Sequence, residues 1–398
     1  MGKKILFLGA SAMQIPPLRY AKEQGHYVIT CDYLPENPGH KFSDESYNVS
    51  TTDMHAVLEL AERLKIDGIV AYMSDPSAPT AAFVAEKLGL QGNPFESVLT
   101  LTRKDIYRKF LAENGFHTPR SKGFFSIHNA IANLGNYVFP IVVKPVDSCG
   151  SKGVTVIRSA DELEIAYAQA LEYSRADGVL LEELVEKDGY QIAGDGFVVE
   201  GTLVFRCFAN EHFDYSCNGL VPIGESFPYV GISEVQQKIH NEVQRALDLL
   251  KMKTGALNFD VRIDPAGNVQ LMEIGPRNGG NLIPEVTKYI TGVDMIKYTV
   301  DAAIGLDCSD LKMKPTSGYY ASFIMHAPAD GVVNRFEYSD EIKACIVEET
   351  RYCKAGDRVK AFNGGNCALG GQILKFESQE QMLRCMDNMN EYQQVVVR

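Results

Sequence analysis

Apolar and polar positions fall into two rhythms along the first hundred residues. Short β-branched runs at Ile5–Leu8, Tyr27–Cys31 and Gly68–Tyr72 read as buried strands. Between them, Leu18–Glu23, Met54–Leu64 and Thr80–Leu88 repeat their apolar positions at helical spacing. Such alternation predicts a parallel sheet with helices on both faces. From Leu101 the rhythm changes. Thr102–Asp105 opens a helix that runs to about Glu113 and closes at Gly115–Pro119. A strand, helix and strand follow to Pro140–Pro145, then a glycine-rich turn, a strand at Val154–Ile157, a helix over Ala160–Ser174 and a strand at Gly178–Glu183. Two long strands flank Glu200-Gly201, and Glu234–Leu250 is an amphipathic helix. From residue 315 the chain reads as β-rich, with a last helix near Gln379–Met389.

The hairpin after that amphipathic helix carries the densest chemistry: Asn258-Phe259-Asp260-Val261-Arg262, a turn through Asp264–Gly267, then Glu273-Ile274-Gly275-Pro276-Arg277-Asn278. A turn centred between Ala266 and Gly267 sets Asp260 opposite Glu273. Like charges about 4.5–5.5 Å apart across a ladder destabilise it. A hard divalent cation reverses that penalty, and Arg277 adds a planar fork for a carboxylate or phosphate. A strand end with two solvated acids is the alternative reading.

Val143-Lys144-Pro145 ends a buried strand with an ammonium, which is costly unless it meets an anion. Ser148-Cys149-Gly150-Ser151-Lys152-Gly153 follows as a small-residue loop able to fold over phosphates. It is not a Walker A loop. A hairpin turn beside a snorkelling lysine is the competing interpretation. Gly9-Ala10-Ser11 has only part of a dinucleotide fingerprint, and Asp32 fits either a ribose-binding acid or a turn former. Ser74-Asp75, just past a parallel strand, occupies the strand end where ligands gather in open α/β sheets; a helix N-cap explains the pair equally well.

The 398 residues exceed one hydrophobic core, so two or three domains are expected. With 51 acidic against 39 basic residues and no basic run, nucleic acid is not an expected partner. Nine cysteines without a C-x-x-C pair read as reduced thiols, and eight histidines without H-x-x-x-H argue against zinc. The short apolar run near the start reads as a strand, and no stretch is long enough to span a membrane, so a cytoplasmic protein is expected.

Lys104, Lys144 with its glycine-rich turn, the strand Leu180–Val185 and the hairpin with Asp260, Glu273 and Arg277 occur in that order after an α/β region. This arrangement resembles the ATP-grasp superfamily of carboxylate–amine ligases over nearly the whole chain. Similar proteins include the carbamoyl phosphate synthetase large subunit, biotin carboxylase, purine-pathway ligases and L-amino-acid ligases. The resemblance implies an α/β chain. A Rossmann-like parallel-sheet domain (1–100) precedes an ATP-grasp fold (101–314) with a mobile lid about 118–185, and a small β-rich C-terminal domain (315–398) follows. It implies ATP and Mg²⁺, or Mn²⁺ in its place. By that analogy Lys104 and Lys144 contact ATP phosphates, and Lys144 and Arg277 serve catalysis. Ser148, Gly150, Ser151 and Gly153 form the lid over the nucleotide; Glu182, Glu183, Leu184 and Val185 line adenine, and Gln191 holds ribose. Asp260 and Glu273 hold the metal. Ser74, Asp75, Arg206, His212, Asn218, Asn278 and Asn281 are candidates for the acceptor side.

Three positions depart from the family pattern. Gly275 stands where a metal-binding asparagine is common, with Asn278 or Asn281 as the proposed compensation. Gln191 replaces the usual ribose acid, and Cys149 sits inside the lid. The implied reaction phosphorylates a small carboxylate, such as an amino acid, for attack by an amine. A bicarbonate-activating carboxylase and a non-catalytic nucleotide-binding regulator are the alternatives. Partners are then a small acid and an amine, with a homodimer expected by analogy and no membrane association.

Overall fold

A computed structural model describes residues 2–398. The first sheet is parallel, with β1 (Lys4–Leu8), β2 (Tyr27–Cys31), β3 (Glu45–Tyr47) and β4 (Gly68–Val70) in the order β3-β2-β1-β4. β1, β2 and β4 are buried on both faces, as helix-covered parallel strands must be, while the edge strand β3 is partly exposed. The dinucleotide reading of its first turn does not survive. The Gln14 side chain fills the space over Gly9 and donates to the Leu8 and Tyr72 carbonyls at 3.2 and 2.9 Å. Asp32 accepts from the Ala10 and Leu34 amides, both at 2.9 Å, and from Asn37 at 2.8 Å. It is the turn former.

A second sheet holds β5 (Ser121–Phe124), β6 (Ile141–Pro145), β7 (Thr155–Ile157) and β8 (Val179–Glu183) in the antiparallel order β5-β8-β6-β7. The helix packed on it spans Leu163–Leu171, shorter than the periodicity suggests. A 3₁₀ turn at Ala160–Glu162, closed by a Ser159–Glu162 capping box, replaces its first turn.

The remaining strands are β9 (Ile192–Val199), β10 (Thr202–Phe213), β11 (Pro222–Phe227), β12 (Gly255–Ile263), β13 (Val269–Gly275), β14 (Tyr319–Met325), β15 (Gly331–Tyr338), β16 (Ile346–Arg351), β17 (Arg358–Val359), β18 (Gly370–Phe376) and β19 (Gln393–Val397). Eight of them form one sheet, β13-β12-β9-β10-β11-β14-β18-β16, and β17-β15-β19 form a small one. The large sheet therefore takes strands from both sides of residue 315. The turn between β9 and β10 holds Glu200 and Gly201 at φ 49° and 85°. Two left-handed residues match the twist of the strands they join. One face of the sheet packs under helices Lys104–Glu113 and Ser233–Leu249 around Phe259, Leu257 and Val243; the other packs under Ile283–Thr291 and Met295–Ala303 around Phe197, Phe205 and Phe227. Among the described residues, no helix is long and apolar enough to cross a membrane.

The β12–β13 hairpin opposes Asp260 to Glu273, but by another route than a turn centred between Ala266 and Gly267. Ile263 pairs with Val269, which centres the turn on Ala266. The ladder slips by one residue between Asp260 and Val261, leaving Met272 as the extra residue of a β-bulge. The bulge also explains why Leu271-Met272-Glu273-Ile274 breaks strict alternation.

One buried ionic cluster joins these parts. Glu182 on β8 is 1% exposed, and its carboxylate meets Arg108 from the helix below and Lys144 from β6 at 2.7 Å. Arg108 also donates to the Leu271 carbonyl on β13 at 3.1 Å. Burial alone would raise the Glu182 pKa; the two cations outweigh it and hold the group down at about 2. A carboxyl whose folded pKa lies below its ordinary 4.5 contributes stability at higher pH and loses it as pH falls through that window. Glu182→Gln is therefore expected to destabilise the protein at neutral pH by about 3–5 kcal/mol, because Arg108 is left buried without its counter-charge. Urea unfolding from neutrality downward should show the gap between mutant and parent narrowing as pH drops toward the folded value. A gap that stays constant would refute the ionic account.

Candidate active site

The cleft between the β5–β8 sheet and the large sheet encloses about 430 Å³, and the hairpin forms its floor. Asp260 and Glu273 face it together, brought to one side by the bulge. Burial pushes Asp260 up to about 6; Arg262 pulls it down and the neighbouring Glu273 adds to the rise. Burial would raise Glu273 also, but Lys104 and then Arg277 hold it at about 2. Lys104 Nζ donates to Glu273 at 2.9 Å. Asp260 Oδ1 is buried with no hydrogen-bond partner. A buried orphan oxygen beside a second carboxylate is a donor set that suits a hard divalent cation.

Lys144 also points into the cleft. Burial draws its pKa down, Glu182 resists, and Arg108 and Lys104 add to the fall. Of the glycine-rich loop, Ser148, Cys149, Gly150, Ser151 and Lys152 line the cavity. Gly153 does not; a β-carbon there would meet Tyr173 at 2.9 Å and Pro145 at 3.1 Å, and its φ of 70° turns the chain back toward β7. The Ser151 hydroxyl donates to the Leu220 carbonyl at 2.7 Å, holding the loop against the turn beyond β10. Burial pushes the Cys149 thiol up, so it stays protonated at neutral pH.

The strip expected to line adenine does not face the cleft throughout. Leu184 and Val185 reach the cleft. Glu182 touches its edge but is held by Arg108 and Lys144, and Glu183 faces outward, accepting from the Val138 amide at 3.0 Å beside Arg120. Gln191 lines the cleft in a fixed pose: it donates to Glu211 at 2.6 Å and accepts from Arg262 at 2.8 Å. Arg262 also caps the Val185 carbonyl at 3.0 Å.

Arg277 grips Asp75 through two parallel bonds, Nε to Oδ1 at 2.8 Å and Nη2 to Oδ2 at 2.5 Å. Its Nη1 donates to Asn258 at 2.8 Å and to the Asn278 carbonyl at 3.0 Å. That placement accounts for Gly275. A β-carbon there would lie 3.1 Å from both the guanidinium carbon of Arg277 and Asp75 Oδ1. The ion pair occupies the volume an asparagine would need.

The expected compensation by Asn278 is not seen: its side chain is buried away from the cleft and accepts from Thr299 at 2.8 Å. Asn281 does face the cleft and donates to Glu225 at 3.2 Å. Ser74 shares a hydrogen bond with Ser77 outside the cavity. His212 is likewise outside, its ring nitrogens tied to Asp387 and Ser226, both at 2.8 Å. Arg206 lies over Phe208 and near Met313, away from the cleft. Asn218 is outside the lining too, accepting from the Leu220 amide at 3.0 Å.

Residues missed at the level of sequence are Arg108, Asn258, Arg262, Glu211 and Glu225. Asn258, Asp260 and Arg262 alternate on β12, a signal present in the sequence. Glu211 is the neighbour of His212, and alternation along β10 turns the glutamate, not the histidine, into the cavity. Burial pushes Glu225 up to about 7, and pushes Glu211 well above its ordinary value with Asp260 adding to the effect.

Residues 137–285 match the family model of the ATP-grasp domain. A formate-dependent phosphoribosylglycinamide formyltransferase of Bacteroides thetaiotaomicron is 31% identical over 193 residues, covering 47% of this chain and 49% of that protein. This chain spans about half the length of such relatives. Two solved structures share the fold across the whole chain. An L-amino acid ligase of Bacillus licheniformis aligns at a TM-score of 0.81 and 19% identity, covering 100% of this chain and 99% of that one. The biotin carboxylase domain dimer of the Hydrogenobacter thermophilus 2-oxoglutarate carboxylase, solved with MgADP and bicarbonate, aligns at 0.76 and 17%, covering 100% and 91%. Residues 137–285 thus match the ATP-grasp domain, within a chain that shares the whole fold of these two structures.

Proposed function

We propose that this protein is an ATP- and Mg²⁺-dependent carboxylate–amine ligase acting on a small acid, with an amino acid as the preferred class. The observation that carries the reading is the opposed Asp260 and Glu273, with an orphaned Asp260 oxygen in a cleft lined by Lys104 and Lys144. Mg²⁺ held by these two carboxylates supplies positive charge to the phosphate oxygens. Lys104, Lys144 and the loop amides of 148–152 neutralise the rest of the transferring phosphoryl group. The substrate's carboxylate oxygen attacks the γ-phosphorus and the bond to ADP breaks. The amine then adds to the acyl carbon, inorganic phosphate departs, and the nitrogen loses a proton. The loop held on Leu220 by Ser151 keeps water from the acyl phosphate. No side-chain nucleophile is required.

Arg277 and Asp75 support an amino acid: on parting from each other they would offer opposite charges side by side to an α-carboxylate and an α-ammonium. The names of the relatives, a formate-dependent transferase and an L-amino acid ligase, are consistent with a small acid.

Phosphate release from Mg²⁺-ATP over a panel of paired acids and amines tests the proposal. Release is expected only with both partners and to be strongest with amino acids. Release driven by bicarbonate alone would point to carboxyphosphate chemistry instead, and tight ATP binding with no release would point to a regulator. Glu273→Gln should lower turnover at least about 100-fold with the fold retained by circular dichroism. Asp75→Asn is expected to raise KM for the amino acid while leaving KM for ATP in place; equal changes in both would count against the zwitterion reading. Because position 275 lacks room, Gly275→Asn should lower kcat about tenfold by displacing Arg277, and a gain in rate would refute the packing argument.

A further inference from the structure

Spacing along the chain offers no zinc motif, yet folding brings a cysteine, a histidine and an aspartate together outside the ATP cleft. Asp214 and Cys217 lie in the turn that leaves β10, and His326 follows β14, 112 residues beyond Asp214. His326 Nε2 is 3.0 Å from Asp214 Oδ2, and Cys217 Sγ is 3.3 Å from the same oxygen. The three ligand atoms all lie within 4.8 Å of one another. We propose that Asp214, Cys217 and His326 form a divalent transition-metal site with zinc as the fitting ion, and that this site braces the turn on which the glycine-rich loop rests.

Donor chemistry, geometry and orientation agree. One sulfur, one imidazole nitrogen and one carboxylate oxygen make a borderline set of the kind zinc prefers to Mg²⁺ or Ca²⁺. Tetrahedral bonds of about 2.0–2.3 Å separate ligand atoms by about 3.3–3.8 Å. The two contacts at 3.0 and 3.3 Å therefore need shifts of less than an ångström to admit the ion. Each ligand is also aimed from behind. His326 Nδ1 donates to the Ile324 carbonyl at 2.7 Å, which leaves Nε2 facing the cluster. Asp214 Oδ1 accepts from the Ser216 amide and hydroxyl at 2.9 and 2.6 Å, which turns Oδ2 toward the other two.

The surroundings supply a fourth position. A cavity of about 200 Å³, lined by Asp214, Ser216, Phe323, His326, Phe336 and Tyr338, opens beside the cluster. It admits a water molecule or a small ligand to an ion that has three protein ligands. A nucleophilic triad is a poorer account. Such a relay sets the acid on one ring nitrogen and the thiol on the other, whereas here the thiol and Nε2 both meet Asp214 Oδ2 while Nδ1 is held by backbone. A metal-free His326–Asp214 ion pair with the thiol alongside is the remaining competitor. The ion would fix the turn from Asp214 to Leu220, whose carbonyl receives Ser151.

The test uses the full chain, stripped with a chelator and titrated with Co²⁺ and then Zn²⁺. One equivalent per chain is expected, with a near-ultraviolet thiolate-to-cobalt band and intense tetrahedral visible bands, both erased by zinc. Cys217→Ser should remove the thiolate band. His326→Gln keeps an amide donor to Asp214 but loses the imidazole, and should weaken binding by more than about 100-fold, since even outer partners of a ligand contribute 10–100-fold. No stoichiometric binding by the parent protein at micromolar metal overturns the proposal, as does a thiolate band that survives Cys217→Ser. The parent titration decides the matter even where a variant fails to fold.

Discussion

The buried carboxylate of Glu182 is the constraint on which the site depends. It draws Arg108 from a helix, Lys144 from β6 and, through Arg108, the Leu271 carbonyl of the hairpin to one point. Removing three charges from water is costly, and tolerable only where close pairing and hydrogen bonds satisfy them. Two cations against one anion leave an excess positive charge at the cleft wall, and that excess is borne by Lys144, the residue that faces the cavity. The cluster thus serves packing and anion attraction together. It fixes the β5–β8 sheet relative to the hairpin and presents an ammonium where phosphate charge would gather.

Along the cleft the acids are sorted by their neighbours. Glu182 and Glu273 lie among lysines and arginines and stay ionised. On the β10–β11 side, Glu211 and Glu225 are buried, and for both burial is the dominant influence, raising their pKa values. Glu225 accepts from Ser322 and Asn281, neutral donors that offset burial only in part. One end of the cavity therefore favours anions, and the other favours groups that donate hydrogen bonds or carry positive charge. A cleft polarised in this way is consistent with the ligation proposed above.

Much of this was legible in the sequence. The parallel sheet followed from alternating periods, and the opposed acids, Lys104, Lys144 and the small-residue loop lie at the cavity. What was hidden has physical reasons. The Met272 bulge is a single-residue slip that no propensity marks, so the right pair was inferred from a turn one half-residue off. Choosing His212 over Glu211 is a parity error: adjacent residues of a strand point to opposite faces, and local sequence does not say which faces a ligand. Arg108 gives no local signal, because its partner is 74 residues away. Asp214, Cys217 and His326 were invisible for the same reason, since spacing rules see ligands that are near in sequence.

The Arg277–Asp75 pair spans 202 positions and joins the loop after β4 to the end of the hairpin. Each partner is largely buried, and Gly275 is small because the pair lies against it. Loss of either charge alone strands the other in a low-dielectric wall. These three positions are thus bound into one heritable unit: in descendants of this sequence, aspartate, glycine and arginine should drift together or not at all, and the N-terminal sheet cannot be exchanged for a homologous one without carrying its half of the lock.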